Sequence, residues 1–149
     1  MLVANMNRVV IVVALILACI FNCHGQANPE IKAAVNECRS QHNIEAGQIK
    51  DAINNKKIPE TEHGQCFMSC VMKKMGVLKN GKIDLDRVSE LINNKFKDQE
   101  NREKAYEIAK RCANVKSPDG KECSQASEMA KCALKNAIEL KMEVPKGSF

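Results

Sequence analysis

The chain has 149 residues, a length that suits one domain. It carries a formal net charge of +5, its aromatic content is 3%, and tryptophan is absent. A nucleic-acid surface needs a basic stripe with aromatics free to stack, so this composition excludes that partner; the interspersed charges read as solvated helix faces.

The N-terminal stretch MLVANMNRVVIVVALILACIFNCHGQAN holds Arg8 as the only charge before Glu30. An unbroken apolar run of 13 residues, Val9–Phe21, follows. That length suits the core of a signal peptide and falls short of the roughly 18–20 residues of a membrane-spanning helix. Small residues then offer cleavage after Gly25 or Ala27. The expectation is a signal peptide over residues 1–25, a mature domain over 28–149, and secretion. The competing reading is a membrane anchor or an apolar N-terminal helix. Loss of Arg8 leaves the mature chain at +4. Nothing in the remainder is a repeat, a low-complexity tract or a glycosylation site, and no stretch sustains strand alternation.

Six helices are predicted. Asn28 and Pro29 suit the N-cap and first position of a helix whose Ile31, Ala34, Val35 and Cys38 share one face. A weaker helix covers Glu45–Asn54, with Ile49 and Ile53 inward, and a polar stretch to Pro59 ends it. A third runs from Thr61 to Met75, and Asn80-Gly81 marks a turn. Asp84 caps a fourth, with Leu85, Val88, Leu91 and Ile92 inward and Phe96 near its end. Asp98 caps a fifth that reaches Cys112–Val115, with Ala105, Ile108, Ala109 and Cys112 on one face. Ser117-Pro118-Asp119-Gly120 is a turn, and a sixth helix begins near Ser124. The stretch Val144–Phe149 is a tail with an apolar end.

Removal of a signal peptide takes Cys19 and Cys23 with it. Six cysteines remain: Cys38, Cys66, Cys70, Cys112, Cys123 and Cys132. An even number in a small secreted chain points to a disulfide framework, and six allow 15 pairings. Residues four apart on one helix point their Cβ atoms along parallel directions, which disfavours Cys66–Cys70 and removes 3 of the 15, leaving 12. Two other uses of "CFMSCVMKKMGVLKNGKID", Cys66 to Asp84, are weaker. A zinc site built on His63, Cys66 and Cys70 needs thiolates and a fourth ligand, against even parity in an oxidising compartment. A redox pair normally has two residues between its cysteines; here there are three. The remaining reading has one helix presenting two sulfurs to two different partners.

The six cysteines are separated by 27, 3, 41, 10 and 8 residues. This spacing resembles the six-cysteine pattern of insect odorant-binding proteins of the pheromone-binding and general odorant-binding family, in which the 3 and the 8 recur. "CANV" at Cys112 and "CSQASEMAKC" from Cys123 to Cys132 are similar to that family's last three cysteine positions. The resemblance covers the whole mature chain. It implies an all-α bundle of about six helices around an apolar cavity, held by Cys38–Cys70, Cys66–Cys123 and Cys112–Cys132. It further implies a secreted carrier of small hydrophobic molecules such as volatile alcohols, aldehydes, esters or fatty acid-like compounds, most often odorants or pheromones. A membrane chemoreceptor is an implied downstream partner. The carrier acts as a monomer or weak homodimer without cofactor or metal.

A cavity wall would then be aliphatic and thioether. The third helix supplies Met68, Val71, Met72 and Met75; the fourth supplies Leu85, Val88, Leu91, Ile92 and Phe96. Tyr106, Ile108 and Ala109 come from the fifth helix. Met129, Ala133, Leu134, Ala137 and Ile138 come from the sixth, and Phe149 from the tail. Such stripes also build ordinary core. Tyr106 can donate one hydrogen bond to a ligand oxygen, or else sits at the rim facing water. His42 and His63 read as surface residues.

No G-x-S-x-G, H-E-x-x-H, G-x-G-x-x-G or P-loop is present, and bonded cysteines leave no thiol nucleophile, so an enzyme is not expected. The alternatives are a carrier outside olfaction, in taste, cuticle, gut or seminal fluid, and a secreted interaction protein on the same scaffold. Intact-mass analysis of the mature protein after thiol alkylation should find no free thiol before reduction and six after. Any free thiol in the native protein contradicts the framework.

Overall fold

A computed structural model describes residues 28–142. Helix α1 spans Pro29–Gln41, and the Asn28 side chain accepts the Glu30 backbone N–H at 3.0 Å. Helix α2 spans Ala46–Asn54 and opens on a capping box in which the Glu45 N–H donates to Gln48 Oε1 at 2.9 Å. Helix α3 spans Glu62–Lys74, capped by Thr61 Oγ1, which accepts the Gly64 N–H at 3.2 Å. Helix α4 spans Leu85–Lys95 and helix α5 spans Gln99–Cys112. Their caps Asp84 and Asp98 accept the N–H groups of Arg87 at 3.0 Å and Asn101 at 2.8 Å. In each case a short polar side chain satisfies a donor that has no partner inside the helix.

Two details depart from the sequence reading. A two-stranded antiparallel ladder, β1 (Leu78–Lys79) with β2 (Lys82–Ile83), stands where no strand is predicted. Its turn residues Asn80 and Gly81 both adopt positive φ, 50° and 72°, the conformation that two-residue hairpins require. Two residues per strand are too few to show alternation. Helix α6 spans Glu122–Glu139, beginning two residues before Ser124. The Ser124 hydroxyl does not cap; it donates to Asp119 at 2.7 Å, while Asp119 also accepts the Lys121 N–H at 3.0 Å.

Helix α3 lies at the centre, packed on α6, α1 and the hairpin; α5 lies between α4 and α6. Three disulfides join these elements: Cys38–Cys70 links α1 to α3, Cys66–Cys123 links α3 to α6, and Cys112–Cys132 links α5 to α6. They are the pairs that the family resemblance implies. Cys66 and Cys70 do serve different partners.

Among the described residues, Ala34, Phe67, Val77, Leu78, Ile108, Ala126 and Met129 are buried. Leu78, Ala126 and Met129 form one cluster, with Met72, Ile83 and Val115 packed against it. A polar seam runs beside it between α3 and α6. Ser69 donates to Glu122 at 3.3 Å, and the wholly buried Ser127 donates to the Pro59 carbonyl at 3.4 Å. Pro59 also presses on α3, because a Cβ at Gly64 would stand 2.4 Å from Pro59 Cβ. Alanine there would ordinarily strengthen the helix by up to about 1 kcal/mol. Overpacking against a ring that cannot yield costs about 1–3 kcal/mol. Gly64→Ala is therefore expected to lower stability in urea unfolding; an unchanged or higher midpoint would refute the contact.

Candidate functional site

The apolar faces of α3 to α6 are the candidate site, and their burial is uneven. On α4, Leu85, Val88, Leu91 and Ile92 recur on one face as the sequence predicts, yet all four are half-buried, and no residue of this helix is buried. Phe96, its C-cap, is half-buried too. On α3, Met68, Val71 and Met72 are half-buried, as is Met75 at its C-cap. On α5, Ile108 is buried and Ala109 half-buried. Met129 of α6 is 3% exposed, whereas Ala133, Leu134 and Ala137 are half-buried.

The structure packs the half-buried Met72 against the buried cluster that contains Met129. Tyr106 and Ile138 sit at the periphery, 37% and 54% exposed. The Lys110 ammonium lies 5.5 Å from the centroid of the Tyr106 ring, a cation–π arrangement that occupies the ring at the surface. His42 is half-buried and His63 exposed. Phe149 and the signal-peptide segment lie outside the described residues.

Among the described residues, the apolar surface of these faces is partly exposed. Its chemistry is non-directional: among the described residues no buried side-chain nitrogen or oxygen lacks a hydrogen-bond partner, so no polar group waits for a ligand. Affinity from such a wall comes from apolar area, which tolerates several ligand shapes, and its methionines adapt further. Among the described residues no group of three or more His, Cys, Asp or Glu is placed to hold a metal.

A separate hollow of about 550 Å³ lies at the turn from α1 to α2, lined by Arg39, Ser40, Asn43, Ile44, Glu45, Ala46 and Gly47. It is polar, open to solvent, and shares no residue with the apolar faces.

Charged groups brace the helix ends around the site. Lys79, hydrogen-bonded to Asp84 at 2.6 Å, holds that carboxyl below the ordinary carboxylate value. The Asn101 N–H does the same for Asp98, and the Ser124 hydroxyl for Asp119. The hydrogen bonds that Arg87 donates to Glu90 and Glu30 raise its pKa above the ordinary guanidinium value. Sequence reasoning missed Arg87, Leu78, Ile83 and Val115. An arginine on an amphipathic helix carries no spacing signal, and the three apolar residues flank turns.

Comparison with known proteins follows the same lines. The sequence model of the PBP/GOBP family matches residues 18–136. No curated protein matches the sequence. Among solved structures, odorant-binding protein dmelOBP28a from Drosophila melanogaster is similar, at 24% identity and a TM-score of 0.61, covering 74% of this chain and 91% of its own. Fatty acid binding protein OBP56a from the oral disk of the blowfly Phormia regina is similar at 23% identity and a TM-score of 0.59, with 78% and 99% covered. Apis mellifera odorant binding protein 5 is similar at 23% and 0.60, with 70% and 84% covered.

Two truncations separate core from open face. Met129→Ala should cost about 2–5 kcal/mol in unfolding measurements. Leu91→Ala, on a half-buried face, should cost nearer 1 kcal/mol while weakening uptake of an apolar fluorescent probe. Equal stability losses would show that the α4 face is closed core.

Proposed function

The chain belongs to the PBP/GOBP family, and from that we propose that it is a secreted carrier that binds and transports small hydrophobic molecules, chiefly odorants or pheromones, in extracellular fluid. The observation that carries this reading is the run of half-buried apolar residues on α3, α4, α5 and α6 beside the buried cluster of Leu78, Ala126 and Met129. The apolar run before Gly25 supports export. No helix among the described residues is long and apolar enough to cross a membrane. Catalysis is no part of the reading.

Energetics agree with a carrier. An unfilled space destabilises by about 24 cal/mol per Å³ in one measured series, so a few hundred Å³ removes several kcal/mol. Bridges with sequence separations of 20, 57 and 32 contribute roughly 3–4 kcal/mol each by the chain-entropy argument, enough to offset it. A ten-carbon ligand burying ~350 Å² at ~25 cal/mol per Å² gains ~9 kcal/mol gross. Association removes at least ~4 kcal/mol, which leaves at most ~5 kcal/mol, a Kd of about 0.2 mM or weaker for that ligand, while longer chains bury more and bind more tightly. Weak binding suits a protein that must release its cargo.

A second reading keeps the carrier and moves it outside olfaction. It is favoured by the similarity to a fatty acid binding protein of a blowfly oral disk. Location of the protein in tissue separates the two, and absence from antennae would remove the olfactory one. For the carrier itself, an apolar probe such as N-phenyl-1-naphthylamine should bind and be displaced by a panel of volatiles and fatty acids at micromolar to sub-millimolar concentrations. A mature, correctly bridged protein that takes up neither probe nor fatty acid would sink the proposal and favour an interaction protein.

A further inference from the structure

Arg87 ties the start of α4 to two other elements. Its Nε donates to the Met75 carbonyl at 2.9 Å, one terminal nitrogen donates to Glu90 at 2.7 Å, and the other pairs with Glu30 of α1. Its stem lies over Gly76, whose φ is +73°; a Cβ there would stand 3.6 Å from Arg87 Cγ. The Arg87 side chain is 21% exposed. Two further ties fall at the same end of α4: the Asp84 N–H donates to the Val77 carbonyl at 2.9 Å, and Lys79 bonds the Asp84 carboxylate.

The opposite end of α4 is different. Asn93, Asn94, Lys95, Lys97 and Asp98 are all exposed, and the helix packs chiefly on α5. Helices α4 and α5 are joined by three residues, Phe96–Asp98, and packed together, so they run antiparallel. The fixed end of α5 is its C-terminus, where Cys112 is bonded to Cys132 and Arg111 donates to Asn136 at 3.3 Å. Antiparallel packing puts that anchor at the same end of the pair as the Arg87 cluster. At the turn end the restraints are internal to the pair, such as the bond from Arg102 to the Lys97 carbonyl at 3.1 Å. Among the described residues, no hydrogen bond or ion pair ties that end to another element, and half-buried apolar contacts hold it.

We propose that α4 is a movable wall of the ligand space, hinged at its N-terminal end by Arg87 acting as a positioning residue, and that the α4–α5 turn is the end that swings out to admit an apolar molecule. The word ligand rests on the carrier reading; the hinge rests on the hydrogen bonds alone.

Hydrogen–deuterium exchange on the mature, oxidised protein tests the hinge without any ligand, because local opening is read amide by amide. Glu30→Gln removes the ion pair and keeps the shape; Arg87→Lys keeps the charge and loses the three-way geometry. Exchange across α4 should rise about fivefold in Glu30→Gln and more in Arg87→Lys, the size expected for loss of a partly exposed pair. Exchange in α3 and α6 should stay at the wild-type rate. Release of N-phenyl-1-naphthylamine should speed by a similar factor. Wild-type α4 exchange in both variants, or a rise shared equally by α3 and α6, would overturn the hinge. A wild-type protein that takes up no probe counts against the carrier reading, and exchange then decides the hinge by itself.

Discussion

The fold depends on one helix bonded covalently in two directions. Cys66 and Cys70 lie one turn apart on α3, and their sulfurs leave to α6 and to α1. Helix α3 therefore sits between two neighbours whatever the quality of packing around it. The Cys112–Cys132 bond extends the same scheme to α5. The bonds act beside the buried apolar contacts of Phe67, Val77, Leu78, Ile108, Ala126 and Met129 in holding that order. Both oppose the chain entropy that folding must outweigh.

Much of this was legible in the residues. Asn28, Thr61, Asp84 and Asp98 each mark a helix start, because a short polar side chain before an apolar periodic stretch has few other uses. The sixth start, expected near Ser124, falls at Glu122 behind Lys121, which makes no side-chain cap, while the Ser124 hydroxyl donates to Asp119. Asn80-Gly81 announced a turn but not the ladder flanking it, since two-residue strands carry no period.

Site residues were less legible. A helix face announces that it is apolar, not whether a neighbour closes over it. Met129 and Leu134 look alike in sequence, yet Met129 joins the buried cluster while Leu134 stays half-buried. The difference is set by which helices sit opposite, a long-range fact. Tyr106 shows the same limit, since its partner Lys110 is four residues away and its exposure depends on the whole bundle. Arg87 was invisible because its meaning lies in three acceptors contributed by Met75, Glu30 and Glu90.

The three bridges also have a thermal consequence. The heat capacity of unfolding grows with the apolar surface newly wetted, and a cross-linked unfolded chain stays more compact and wets less of it. The stability curve of the oxidised protein should accordingly be shallower than that of the same chain with its bridges reduced.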